Sequence, residues 1–259
     1  MGCRKWMMQT KKISKIKKRH ELNVSRYESS KCIVELKSDE LKKIIDDIQL
    51  SFDKYSNLIE QIQGRPEFRF KDNDDINLPQ YNFYNIKDIS FDGAIFISGL
   101  CGGITALLSS IGIGLFAGGL LFNIMGSSIN DNIKKAENDM LNAEKKINEV
   151  CSFLYDLHLI IEKYLISLNK ILNNYKKTLD ELEQIIINKK DYEIFNAHEQ
   201  AVTKNATNFV RVLKFMLNIE LVKKTIQNDH ITTYTICKND IKDKIHKSEE
   251  MVVNNTISC

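Results

Sequence analysis

Apolar residues recur at every seventh position between residues 34 and 62, with polar residues between them. The repeating positions are Val34, Leu41, Ile48, Tyr55 and Ile62. This heptad spacing predicts an amphipathic helix that buries one stripe. Ser38, followed by two acidic residues, is a suitable start, and Gly64-Arg65-Pro66 is a suitable stop. We therefore predict a helix over 38–63, which either begins at Ser38 or continues from residues upstream.

The strongest periodicity lies in residues 131–190, which contain no glycine and no proline. Its apolar positions, each seven residues apart, are Ile133, Met140, Ile147, Leu154, Ile161, Leu168, Tyr175 and Leu182. A helix of about 60 residues is roughly 90 Å long and has to bury such a stripe against partner helices. The pattern therefore predicts one long heptad helix that packs within its own chain or against another molecule.

Shorter elements are expected towards the carboxyl end. A third amphipathic helix is predicted over 196–228, inside the segment 191–228. Its apolar stripe consists of Val202, Ala206, Phe209, Val210, Leu213, Leu217, Leu221 and Val222. The run "HITTYTIC" at 230–237 favours an extended piece, and a weak helix is expected at 239–253 in the C-terminal tail, 229–259.

Residues 64–92 differ from both long helices, because they hold both prolines of the chain and six aromatic residues. Proline interrupts helices, and asparagine and aspartate are frequent among these residues. We predict a long ordered loop here.

An uncharged block of 38 residues, 93–130, follows the loop and holds nine of the chain's 11 glycines. A membrane-spanning helix needs about 20 apolar residues, and each glycine destabilises a helix in water by about 1 kcal/mol. Both facts favour membrane insertion over a buried helix of a soluble bundle. Two arms split at Ser109 would each be about 24 Å long, short of the roughly 30 Å hydrocarbon core. One span, two spans and a re-entrant segment are all open, and a tight hairpin fits the length best.

Small residues occur at every fourth position of this block and include two G-x-x-x-G pairs, which let helices approach closely in lipid. Such a series turns around a straight helix, so it predicts two contact zones of glycine-zipper type, one on each arm. The predicted membrane-inserting residues are Gly99, Gly102, Gly103, Ala106, Leu108, Ser110, Gly114, Gly118 and Leu120. Gly112, Gly114 and Ala117 also match G-x-G-x-x-A, but no strand–helix–strand pattern surrounds them to support nucleotide binding.

Positive charge is concentrated in the amino-terminal segment, 1–37. Residues 1–20 carry eight basic groups and no acid, so the remaining chain sums to +3 − 8 = −5. Loosely spaced apolar residues among these cations fit a basic amphipathic helix on anionic lipid, and equally the solvated start of a longer helix. The predicted contacts with anionic lipid are Lys11, Lys12, Lys15, Lys18 and Arg19.

The sequence contains no recognisable catalytic or metal-binding pattern. The five histidines are isolated, and the six cysteines are scattered without a C-x-x-C pair. We therefore predict no enzyme, no cofactor and no metal site. With 6 arginines against 31 lysines, specific nucleic-acid recognition is not expected either. The amino end lacks the apolar core of a cleavable signal peptide, which favours a membrane-associated protein on the cytoplasmic side.

The order of a long amphipathic helix, a glycine-rich apolar block, a very long heptad helix and a shorter helix resembles known membrane-inserting proteins. It is similar to ClyA-type pore-forming toxins, to apolipoprotein-L-like proteins and to uncharacterised bacterial proteins of this layout. The resemblance covers about residues 34–228 and rests on architecture, without a diagnostic motif. It implies a helical fold that inserts its central block into a bilayer, but it assigns no role to single residues.

Together these patterns predict an all-α protein, an elongated coiled-coil-like helical bundle with a central hydrophobic helical hairpin. The flanking helices are expected to bring the two ends of the hairpin together. The expected function is membrane insertion, with oligomerisation into a pore or a membrane-remodelling assembly. The expected partners are membrane lipids and a second helical chain, either another copy or a different protein. The alternatives are a membrane-anchored coiled-coil scaffold that forms no pore, and a soluble structural bundle.

Overall fold

The computed structural model describes residues 2–66, 68, 102–104, 107, 129–226 and 232–255. Helix accounts for 86% of the described residues, which confirms the all-α fold class. The elements are helix α1 (Gly2–Glu60), helix α2 (Ile129–Asn188), a 3-10 turn (Tyr192–Ile194), helix α3 (Ala197–Leu217), strand β1 (Val222–Ile226), strand β2 (Thr232–Ile236) and helix α4 (Lys238–Asn255).

The chain forms two compact units. Unit 1 consists of Met1–Lys37 with Thr105–Leu159, and unit 2 consists of Ser38–Ile104 with Ile160–Cys259. Helices α1 and α2 each contribute a segment to both units. Helix α3, the two strands and helix α4 belong to unit 2.

The heptad stripes predicted for the two long helices are buried. The four positions on α1 from Val34 to Tyr55, and Ile62 just after the helix end, are at most 2% exposed. So are the seven positions on α2 from Met140 to Leu182. In unit 2, Phe52 of α1 meets Tyr175 of α2 edge to face, with 5.9 Å between ring centroids. Burial raises the pKa of Tyr175 well above its usual value, so its hydroxyl stays protonated and donates to the Ser51 carbonyl. The stripes are therefore the seam of a packed helix pair.

Within each unit, α1 and α2 run in the same direction. In unit 1, Lys12 pairs with Glu137 and Arg19 pairs with Glu144. In unit 2, Lys176 bonds Asp47, Lys54 bonds Asp180, and the backbone of Gln63 bridges to Asp191 in parallel. The partners advance together along both helices. Residue 93, where the central block starts, lies outside the described residues, so the expectation that the helices bring the two ends of the block together stays a prediction.

Helix α1 continues upstream of Ser38, which is the second of the two predicted starts, and it ends close to the predicted stop. It begins at Gly2, so the basic segment is the first part of one long helix and Ser38 is an interior, buried residue. The helix ends at Glu60, and Gly64 follows with a φ of 63°. That left-handed conformation suits glycine, and the Arg65 guanidinium donates to the Ile59 carbonyl at the helix end.

Helix α3 lies at the centre of unit 2 and is buried on most sides. Its neighbours are α1, through a hydrogen bond of 2.8 Å between Tyr55 and Thr207, and α2, through Tyr164, which donates to the Met216 carbonyl at 2.6 Å. Helix α4 closes the remaining side, where the Asn208 amide donates to the Met251 carbonyl. These contacts explain why α3 carries polar residues that the apolar stripe alone did not anticipate.

The predicted third helix was too long at its carboxyl end. Helix α3 stops at Leu217, and Val222–Ile226 forms strand β1, paired antiparallel with Thr232–Ile236. Leu221 and Val222 are buried, as their place in the predicted stripe required, but in a hairpin instead of a helix. The extended piece expected at 230–237 and the weak helix expected at 239–253 correspond to β2 and α4.

Candidate functional site

Gly103, one of the described residues of the glycine-rich block, lies against strand β1 of unit 2. Gly102, Gly103 and Ile104 are helical, and Ile104 is fully buried. A Cβ atom added to Gly103 would overlap the backbone carbonyl oxygen of Val222 and would lie 3.2 Å from its Cβ. Only a glycine permits this approach, because the neighbouring atoms belong to backbone that cannot rotate away. Among the described residues of the block, Gly103 therefore makes a very close contact with strand β1, which we call the Gly103 contact.

The neighbouring glycine has a different environment. A Cβ atom added to Gly102 would meet no atom within 4 Å. The two adjacent glycines therefore differ in whether a larger side chain would fit. Gly103 is required for space, whereas Gly102 is not restricted in this way.

Strand β1 contains Val222 and is held in place by its pairing with strand β2. Val222 pairs with Ile236 in the sheet, and the Cys237 amide donates to the Leu221 carbonyl over 3.1 Å. Leu221 and Val222 are both at most 4% exposed. The backbone of Val222, which Gly103 contacts, is therefore held in place by strand β2.

Most of the predicted membrane-inserting residues lie outside the described residues. These are Gly99, Ala106, Leu108, Ser110, Gly114, Gly118 and Leu120. Of the nine, only Gly102 and Gly103 are described, as above. A further residue of the block, Leu107, is helical and 3% exposed. Among the helices in the described part of the chain, none is both long enough and apolar enough to cross a membrane.

The five cations predicted to contact lipid divide into two sets. Lys12 lies 3.6 Å from the Glu137 carboxylate, and the Arg19 guanidinium bonds Glu144, both on α2. Lys11, Lys15 and Lys18 are exposed. The structure therefore ties two of the five cations to the helix pair and leaves the other three facing solvent.

Sequence reasoning missed the internal role of Lys12 and Arg19, although a signal was present. The two basic residues are seven positions apart, and Glu137 and Glu144 on the other heptad helix are also seven apart. Matching charge repeats of this kind are typical of paired helices in register. The partner of Gly103 had no such signal, because Val222 contributes backbone atoms whose position depends on the hairpin.

A shallow groove of about 290 Å³ lies along the seam of α1 and α2 in unit 2. The charges that line it pair with one another: Lys176 bonds Asp47, and Lys54 bonds both Asp180 and Glu183, each at 2.8 Å. Hydrogen bonds to these two carboxylates raise the pKa of Lys54. The groove is therefore part of the helix seam. Within the described ranges, no group of histidine, cysteine or acidic side chains is arranged to hold a metal ion.

A scan against protein-family models, a search of curated proteins and a search of solved structures each found no match to this chain.

Proposed function

We propose that this chain is a membrane-associated helical protein that inserts its glycine-rich block, 93–130, into a bilayer from the cytoplasmic side. The helical units store the block before it meets the membrane. Insertion is followed by packing of the small residues against one another or against other copies.

The observation that carries this proposal is the composition of the block. It has 38 residues without a charge and nine glycines, in a chain where 27% of all residues are charged. In water, each glycine inside a helix is unfavourable by about 1 kcal/mol relative to alanine. In lipid, glycines instead allow close helix packing, which is a main source of helix association there. The composition therefore fits lipid better than a water-exposed helix.

The contacts of Gly103 and Ile104 support storage of the block against unit 2. Ile104 is fully buried and Gly103 touches the backbone of Val222. An apolar block kept in this way is shielded from water and from other copies until a bilayer offers an alternative. The Gly103 contact is then the element whose strength sets how readily the block leaves.

The experiment that tests the proposal is flotation of the full chain with lipid vesicles, followed by an alkaline carbonate wash. Wild-type protein is expected to stay with the vesicles after the wash. Leu108→Asp is expected to lower the retained fraction, because a carboxylate is strongly unfavourable in hydrocarbon. Leu50→Asp is the matched control, since Leu50 lies outside the block and is 67% exposed.

Equal retention of both aspartate variants would contradict insertion through the block. Release of a trapped dye from the same vesicles separates two outcomes. Retention with dye release identifies a pore, and retention without release identifies an anchor or scaffold.

A further inference from the structure

One side of helix α1 in unit 1 combines exposed lysines with exposed apolar residues. Because each residue advances about 100° around a helix, the residues on this side fall within a sector of about 80°. We call this surface the outward face. Its members are Met7, Lys11, Lys15, Lys18, Leu22, Ser25, Ser29, Ile33 and Leu36, and all nine are exposed.

The outward face has a basic half and an apolar half. The three lysines lie between Met7 and Leu22, which are 51% and 62% exposed. Further along, Ile33 and Leu36 are 46% and 64% exposed. No acidic residue falls within the face, although Glu21 and Glu28 lie on neighbouring positions of the helix. Exposed side chains of this size are a departure from the charged surface of an ordinary solvated helix.

The opposite side of α1 in unit 1 makes contacts within the chain. Asn23, Tyr27 and Val34 are at most 2% exposed and lie roughly opposite the outward face. Lys12 and Arg19 pair with α2, and Lys17 and Lys31 lie near Glu21 and Glu35 on α1 itself. The outward face is thus part of the exposed surface of this helix, which also includes Lys17 and Glu35 beside it.

We propose that the outward face docks on the surface of an anionic bilayer, with Lys11, Lys15 and Lys18 on lipid phosphates and Leu22, Ile33 and Leu36 in the boundary with the acyl chains. A basic helix with apolar residues on the same side binds membranes in this way. This proposal rests on the proposed function, because it supplies the first contact before the block inserts.

The charge of the face favours lipid over two other occupants. A second copy docked through the same face would bring lysines with no carboxylate on the face to pair with. A nucleic acid would match the lysines but would leave Leu22, Ile33 and Leu36 without an apolar partner. An anionic bilayer offers both negative headgroups and apolar chains.

The test is binding of the full chain to phosphatidylcholine vesicles with or without about 30% phosphatidylserine, at about 0.05 M and 0.5 M salt. The triple variant Lys11→Gln, Lys15→Gln, Lys18→Gln is compared with Lys12→Gln, Lys17→Gln, Lys31→Gln. Both variants have the same net charge, +3 − 3 = 0, and both change only residues of α1 that belong to unit 1. Circular dichroism of both variants checks that their helical content matches that of wild type.

Wild-type protein and the control triple are expected to bind the phosphatidylserine vesicles in a salt-sensitive way. Loss of the three outward lysines is expected to weaken this binding on the order of 100-fold, since each surface lysine contributes several-fold. The proposal would be overturned if both triple variants bound vesicles equally weakly, or if binding did not depend on phosphatidylserine. A dimer in sedimentation equilibrium would also overturn the proposal if only the variant Lys11→Gln, Lys15→Gln, Lys18→Gln dissociated it. The face would then bind a second copy.

Failure of this proposal is distinguishable from failure of the proposed function. Docking through the outward face is reversed by salt and by the carbonate wash, whereas insertion of the block resists both. Salt-sensitive binding that Leu108→Asp leaves unchanged, with nothing retained after the wash, supports docking and contradicts insertion. Wash-resistant binding that is equal in both lysine triples supports insertion and contradicts docking.

Discussion

Gly103→Ala is expected to destabilise the protein by about 1–3 kcal/mol, because the added methyl group overlaps the Val222 carbonyl and forces backbone to move. Gly102→Ala is expected to do the opposite. The methyl group there meets no atom within 4 Å, and alanine is the better helix former by about 1 kcal/mol. Adjacent substitutions of the same kind should therefore change the free energy of unfolding in opposite directions.

The measurement is urea unfolding of both variants, together with vesicle binding. If the Gly103 contact stores the block, Gly103→Ala should also bind vesicles at a lower lipid concentration than wild type, while Gly102→Ala should not. Two variants of equal stability would contradict the close approach to Val222. If Gly103→Ala is less stable than wild type but binds vesicles equally well, the Gly103 contact stabilises the fold and does not store the block.

Ile48→Ala is expected to destabilise unit 2 by about 2–5 kcal/mol, because Ile48 is fully buried in the seam between the long helices. Leu50→Ala removes a side chain of similar size two residues away. Leu50 is 67% exposed, so its loss should change the free energy of unfolding by no more than about 0.5 kcal/mol. The pair tests whether the heptad position decides the energetic role of a residue.

Thermal unfolding of both variants, followed by circular dichroism at 222 nm, measures this difference. Similar losses at positions 48 and 50 would mean that the stripe is not the seam. A large loss at position 50 alone would place the packed side of α1 opposite to the side described.

Heptad spacing predicted which side chains of α1 and α2 are buried, since that depends only on the spacing of apolar residues along a helix. Val34, Ile48 and Leu168 are examples, each fully buried. The direction of pairing did not follow, because an apolar stripe has the same appearance in parallel and antiparallel pairs. The matching repeats of Lys12 with Arg19 and of Glu137 with Glu144 carried that information.

The end of the third helix could not be predicted from its apolar pattern. Leu221 and Val222 continue the spacing of the stripe, but an isolated pair of apolar residues fits a strand as well as a helix. Their burial in the hairpin depends on pairing with β2, which is a contact between separate parts of the sequence. For the same reason, the sequence identified Gly103 as small but did not identify Val222 as its neighbour.

The sequence alone also did not show which of the five basic residues pair with α2 and which are exposed. All five predicted lipid contacts lie within nine positions of one helix, and their residue types are nearly equivalent. What separates them is their angle around α1 relative to α2. Lys12 and Arg19 lie on the side of the glutamates, and Lys11, Lys15 and Lys18 lie on the outward face.

Insertion of the block is tested most directly by the depth of a single tryptophan in the bilayer. The chain has one tryptophan, Trp6, so Trp6→Phe combined with Leu108→Trp places the only indole inside the block. Vesicles with bromine atoms on the lipid acyl chains quench tryptophan that enters the hydrocarbon core. If the block inserts, the emission of the indole should shift to the blue and be strongly quenched on vesicle binding. Bound protein whose emission stays water-like and unquenched would contradict insertion.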